Sequence, residues 1–199
     1  MSGIENWLNQ QWYEKEKPNF ILRFLSLIYA FLLRFRPKQN IEKLSVPIIV
    51  VGNFTVGGTG KTPLIIALIH YLEKNEFKPG VVSRGYGRTS KLPVTVNKDS
   101  LVANSGDEPL LIAQQSSAPV RVDSNRLRAT EHLIELGCTI ILADDGLQHK
   151  KLPRDIEIEV IDSQRQYGNG LLLPAGPMRE PIRPVTMRVS NGGAEDYAD

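Results

Sequence analysis

Residues 46–62 read VPIIVVGNFTVGGTGKT. An apolar run (Val46, Ile48, Ile49, Val50, Val51) gives way to a glycine-rich turn, then to Gly60-Lys61-Thr62 and the periodic segment PLIIALIHYLEK. A buried strand, a flexible loop and a helix in that order are the setting in which a phosphate-binding loop forms. Successive backbone N–H groups of such a loop converge on an anion, and the following helix adds its positive N-terminal end. Nucleotide binding is therefore assigned to Thr55, Val56, Gly57, Gly58, Thr59, Gly60, Lys61 and Thr62. Lys61 would reach the β- and γ-phosphates and the Thr62 hydroxyl would hold Mg²⁺. Thr55 stands where the general pattern G-x-x-x-x-G-K-[ST] has its first glycine; Gly57 and Gly58 supply backbone freedom instead.

Outward from this loop, helical and extended patterns alternate. Residues 64–74 are expected to be helical, 81–83 a short strand followed by the turn Arg84-Gly85-Tyr86-Gly87-Arg88, and 92–96 another strand. Asp107 opens a helix with Pro109 in its first turn. Residues 118–122 read as a strand, Ser124 as the cap of a helix reaching residue 136, and 138–143 and 156–162 as two more strands. Such alternation predicts an α/β fold of the P-loop NTPase type, a largely parallel sheet flanked by helices, over residues 46–199. Ligands of these sheets bind beyond the carboxyl ends of the strands.

The run CTIILADDGLQH, residues 138–149, places acids at such a strand end. Asp144 or Asp145 can bind Mg²⁺ there directly or through water; a solvated turn is the plainer alternative. His149 follows closely enough to return to the site, although a lone histidine also serves structure. SGDEP, residues 105–109, sets Asp107 and Glu108 at a helix start, where an acid is either a cap or a catalytic group. Pattern alone selects none of Arg84, Arg88, Arg121, Arg126 and Arg128. The Gly- and Pro-rich stretch 168–180 is expected to be an ordered loop presenting Arg179 and Glu180.

The first 45 residues differ from the rest. They hold Trp7, Trp12, Tyr13, Phe20, Phe24, Tyr29, Phe31 and Phe35, eight of the fourteen aromatics. They also carry seven Lys/Arg against four Asp/Glu, whereas the remainder has seventeen against eighteen. The run 24–33, uncharged and apolar but for Ser26, is about 15 Å long as a helix, half of the roughly 30 Å of a bilayer core. Arg23 precedes it, and Arg34, Arg36 and Lys38 follow. This describes a helix lying in a membrane interface, with a core-packed helix and a true span as alternatives. Acidic residues before the run and the lack of a small-residue cleavage site after it speak against a cleaved signal peptide. A net charge of +2 calls for no nucleic-acid partner, and the single cysteine, Cys138, excludes an intramolecular disulfide and reads as a small buried residue.

Taken together, TVGGTGKTP, VSRGYGR, SGDEP, ADDGLQH and LLPAGPMRE, in this order, resemble the bacterial tetraacyldisaccharide 4'-kinases of lipid A biosynthesis. The resemblance implies a membrane-associated kinase on the cytoplasmic face of the inner membrane, peripheral or N-terminally anchored. It would move the γ-phosphate of ATP–Mg²⁺ to the 4'-hydroxyl of an acylated glucosamine disaccharide lipid. By the same resemblance Asp107 would be the general base, and Asp144 and Asp145 would serve the metal and the reacting centre. His149 and Glu180 would complete the catalytic surroundings, and Arg84 and Arg88 would lie on the lipid's side. One competing reading, a switch or partitioning ATPase of the GGxGKT type, expects a lysine just before the glycine pair, where this chain has Val56; a second is an impaired fragment of the kinase that binds ATP but transfers nothing. Members of the kinase family are longer, with a further subdomain that supplies a histidine to the base. No histidine follows His149 here, and residues 181–190 are differently composed, so that subdomain is expected to be missing or incomplete.

Overall fold

The computed structural model describes residues 3–14, 17–35 and 43–192. Its core is one seven-stranded sheet. The strands are β1 Ile48–Gly52, β2 Pro79–Ser83, β3 Val94–Val96, β4 Val120–Val122, β5 Ile140–Asp144, β6 Ile156–Asp162 and β7 Met187–Asn191, in the order β3-β4-β2-β5-β1-β6-β7. All neighbours are parallel except β3, which runs antiparallel to β4 at one edge.

The central strands are apolar on both faces because both faces are covered. Ile49 and Val51 of β1, with Leu142 of β5 and Val81 of β2, pack against Ile65 and Ile69 of helix α3 (Lys61–Lys74) and Ile112 of helix α5 (Asp107–Gln115). The alternate residues Ile48, Val50, Ile141, Ala143 and Val82 meet Ala129 and Leu133 of helix α6 (Arg126–Glu135), Phe54 and Leu147. Cys138 is buried in this second layer, and burial pushes its thiol pKa up. The expected α/β architecture stands.

Four details differ from the sequence reading. Helix α3 starts at Lys61, not residue 64, because the loop passes straight into the first turn, where Pro63 needs no N–H partner. Asn125 rather than Ser124 caps α6, its side chain accepting from Arg128 N–H. A four-residue helix α4 (Val102–Ser105) precedes α5. A strand that the sequence reading did not place, β7, follows residues 181–186 and pairs with β6 from Ile158↔Met187 to Asp162↔Asn191.

The N-terminal segment forms helix α1 (Gly3–Asn9), a π-helical turn (Gln10–Glu14) and helix α2 (Phe20–Arg34), capped by the Asn19 side chain on Ile21 N–H. Only Ser26 of α2 is buried. Phe20, Leu27 and Phe31 are 77%, 70% and 56% exposed, so α2 shows solvent a face that an ordinary core helix would hide. With fifteen residues it is too short to cross a bilayer, and among the described residues no helix is long and apolar enough to do so. Arg36, Pro37 and Lys38, and residues 193–199, lie outside the described residues.

Candidate active site

The loop leaves β1 at Gly52 and enters α3 at Lys61. Gly57 (φ 111°) and Gly60 (φ 82°) take left-handed conformations that other residues adopt only under strain. Gly60 is also the N-cap of α3 and brings no capping side chain, so the first-turn N–H groups remain directed to the loop. Thr55 is buried and bridges antiparallel to Met178, while Val56 N–H donates to Pro177 O at 2.9 Å and Arg179 N–H to Phe54 O at 2.7 Å. The 168–180 stretch is thus a wall built onto the phosphate loop.

Lys61 and Thr62 are both buried. Lys61 Nζ lies 3.4 Å from Asn53 Oδ1 and 3.7 Å from Asp145 Oδ1. Asp145 follows β5 in a left-handed conformation (φ 47°), which an aspartate tolerates and which turns it away from the strand's own alternation. Burial pushes the Asp145 pKa up, but Arg179 and Lys61 outweigh it and hold the carboxyl below its usual range. Arg179 Nη1 reaches both Asp145 oxygens, at 2.8 and 3.1 Å.

Asp144, the last residue of β5, is buried, and its Oδ2 accepts from the Ser83 hydroxyl at 2.9 Å. Its Oδ1 has no partner among the described residues. Burial, then the Glu108 charge, push its pKa up to about 6. A buried carboxylate with one bare oxygen is a hard donor of the kind Mg²⁺ takes, with water and phosphate filling the rest. The donors present suit that ion.

His149 is half-buried, and its Nδ1 finds no partner among the described residues. Burial, then the Arg126 charge, push its pKa down to about 4, so the imidazole is neutral at neutral pH. Glu180 is buried and lies 3.4 Å from Gln148 Nε2, which also donates to Asn53 O at 2.8 Å.

A cavity of about 690 Å³ opens above the carboxyl ends of β2 and β5 and joins most of these groups. Asp144, Asp145, His149 and Arg179 line it on one side, Arg84 and Glu108 on another, and Tyr29 of α2 on the rim. Asp107 is exposed in the first turn of α5, beside Glu108, and does not line the cavity. It is not the cap of α5 either: Gly106 holds that position at φ 86°. Arg88 is turned to the Leu92 carbonyl at 2.6 Å rather than to the cavity. Ser83, Arg126 and Gln148 line the cavity although pattern did not select them, and Glu108, named with Asp107 in SGDEP, lines it where Asp107 does not. Each sits inside or beside a motif that was noticed; what was missing was the side-chain direction. Arg126 in particular is buried, donates to Asp145 O at 2.9 Å and lies against the cavity, and burial pushes its guanidinium pKa down.

The family model described as tetraacyldisaccharide-1-P 4'-kinase matches residues 18–194. The chain belongs to that family. It is 49% identical to a tetraacyldisaccharide 4'-kinase of Stenotrophomonas maltophilia over 98% of its own length and 61% of the relative's. The corresponding protein of Xanthomonas euvesicatoria is also 49% identical, over 92% of this chain and 56% of that one. Among solved structures, LpxK from Aquifex aeolicus in complex with ATP superposes with a TM-score of 0.70 at 34% identity, covering 79% of this chain and 52% of the other. The chain thus spans well under two thirds of the length of these kinases. The matched span, residues 18–194, includes the phosphate loop, the β5 acids and the 168–180 wall.

Proposed function

We propose that this chain takes ATP with Mg²⁺ at residues 55–62 and passes the γ-phosphate to the 4'-hydroxyl of an acylated glucosamine disaccharide lipid, working at a membrane surface. One observation carries the reading: the cavity that holds Asp144 and Asp145 runs to a rim formed by Tyr29 of the exposed apolar helix α2. A cavity lined by Val56 of the loop and by Tyr29 of such a helix suits an acceptor with a polar sugar head and lipid tails. The membrane in question is the cytoplasmic face of the inner membrane, where α2 would lie in the interface.

In this reading the residues divide the work. Lys61 and the α3 N-terminus would hold the phosphates, and Thr62 and Asp144 would hold the metal. Mg²⁺, when bound, neutralises charge on the β- and γ-oxygens. Asp145, fixed between Lys61 and Arg179, keeps the lysine aimed at the transferred group. Arg84 faces the sugar and its phosphate, with Arg88 bracing the same turn. His149, neutral, and Glu180, through Gln148, complete the wall of the site.

Asp107 takes the acceptor hydroxyl's proton. Glu108 is the competing base, favoured by its position on the cavity lining. Lys61→Ala is expected to abolish ATP binding, whereas Asp107→Ala spares binding and loses turnover. Equal loss of binding in both variants would contradict the division of roles.

A further inference from the structure

Strand β7 brings one side chain back to the phosphate loop. Asn191, its last residue, donates from Nδ2 to the Thr59 carbonyl at 3.2 Å, and its own carbonyl accepts from Ser163 N–H at 3.1 Å. The Ser163 contact and the Asp162↔Asn191 pairing fix the Asn191 backbone against β6. The peptide between Thr59 and Gly60 is planar and trans, so its C=O and N–H point in opposite directions. Drawing the Thr59 carbonyl toward β7 therefore turns the Gly60 N–H away from β7. The next residue is a glycine, so the peptide has little steric resistance of its own to flipping. Gly60 is required here twice: for its φ of 82°, and because a Cβ on it would overlap the Asn191 amide.

We propose that Asn191 is a positioning residue for phosphate binding, setting the Thr59–Gly60 peptide so that the Gly60 N–H is presented to the nucleotide's phosphates. The inference rests on the nucleotide reading of residues 55–62. Asn191 itself touches neither substrate nor reacting atoms.

The test uses the whole 199-residue chain. Binding of ATP–Mg²⁺ and of inorganic tripolyphosphate is titrated against wild type, Asn191→Ala and Asn191→Ser, with the ligand-free melting temperature of each. Asn191→Ala is expected to weaken both ligands about tenfold, equivalent to about 1.4 kcal/mol. Its melting temperature should stay within a degree or two of wild type. Asn191→Ser keeps a donor and should recover most of the lost affinity. Unchanged affinity in Asn191→Ala overturns the proposal. So does loss of ATP affinity with tripolyphosphate unaffected, which would make Asn191 a nucleoside contact. A fall in melting temperature that tracks the affinity loss in both variants would assign it to strand-end packing instead. Wild-type chain that binds neither ligand would overturn the nucleotide reading itself.

Discussion

The Tyr29 hydroxyl donates a 2.8 Å hydrogen bond to the Arg179 carbonyl, and the guanidinium of the same arginine holds Asp145 at 2.8 Å. The apolar helix α2 and the carboxylate beside Lys61 are therefore two bonds apart. Trp12 Nε1 to Pro174 O at 2.9 Å and Ser26 Oγ to Leu172 O at 2.9 Å fasten the N-terminal segment to the same 168–180 wall. Tyr29→Phe removes one of these ties and nothing else of the ring's bulk. A net cost of about 1 kcal/mol is expected. It should show as a lower urea midpoint and as faster proteolysis at α2, and an unchanged midpoint and cleavage rate would mean that the tie carries no load.

Asp144 gives a pH signature. Its pKa rises from 3.8 unfolded to about 6 folded, so the folded state binds more protons between those values. Stability from this group is fully present below about pH 4, falls as pH rises to about 6, and stays low above that. Asp144→Asn should therefore be more stable than wild type without nucleotide, by an amount that grows by about 1 kcal/mol from pH 5 to pH 7.5. Urea melts at the two pH values check this. Saturating ATP–Mg²⁺ should cancel the advantage, because the carboxylate then has its cation.

Glu108 and Asp107 are adjacent acids with different surroundings, and rate measurements separate them. Asp107→Ala is expected to lower kcat by about 10²- to 10⁴-fold, the range of a lost general base. Glu108→Gln should lower it far less and should bring the Asp144 pKa down, since the Glu108 charge helps raise it. The reverse ranking of the two rates would move the base to Glu108.

The exposed face of α2 predicts partition into lipid. A paired Leu27→Asp and Phe31→Asp variant loses two large apolar contacts, each worth about 1.5–3 kcal/mol when buried. Co-sedimentation with vesicles should fall at least tenfold while ATP binding is kept. Equal sedimentation of the variant and wild type would show that the face is not used for membrane contact.

The sheet, its phosphate loop and the strand-end acids were legible because each rests on local order: apolar runs of strand length, glycines where the chain turns, acids at the end of β5. Strand β7 was not, since an edge strand with two prolines just before it and an exposed pattern carries little hydrophobic signal. The cap of α6 was misread by one residue because Ser124 and Asn125 can both serve and the sequence does not say which φ each adopts. The pairing of Arg179 with Asp145, and of Asn191 with Thr59, joins residues far apart in the chain and only the folded sheet brings them together. Which of Asp107 and Glu108 faces the cavity depends on the rotation of α5, which starts from Gly106 at φ 86°.

The most direct measurement is the fate of label from γ-³²P-ATP, with Mg²⁺, when the 199-residue chain is given vesicles containing an acylated glucosamine disaccharide 1-phosphate. Label in the lipid, lost in Lys61→Ala and in Asp107→Ala, is the predicted result. Label that passes only into inorganic phosphate, with the lipid unlabelled, would contradict the account.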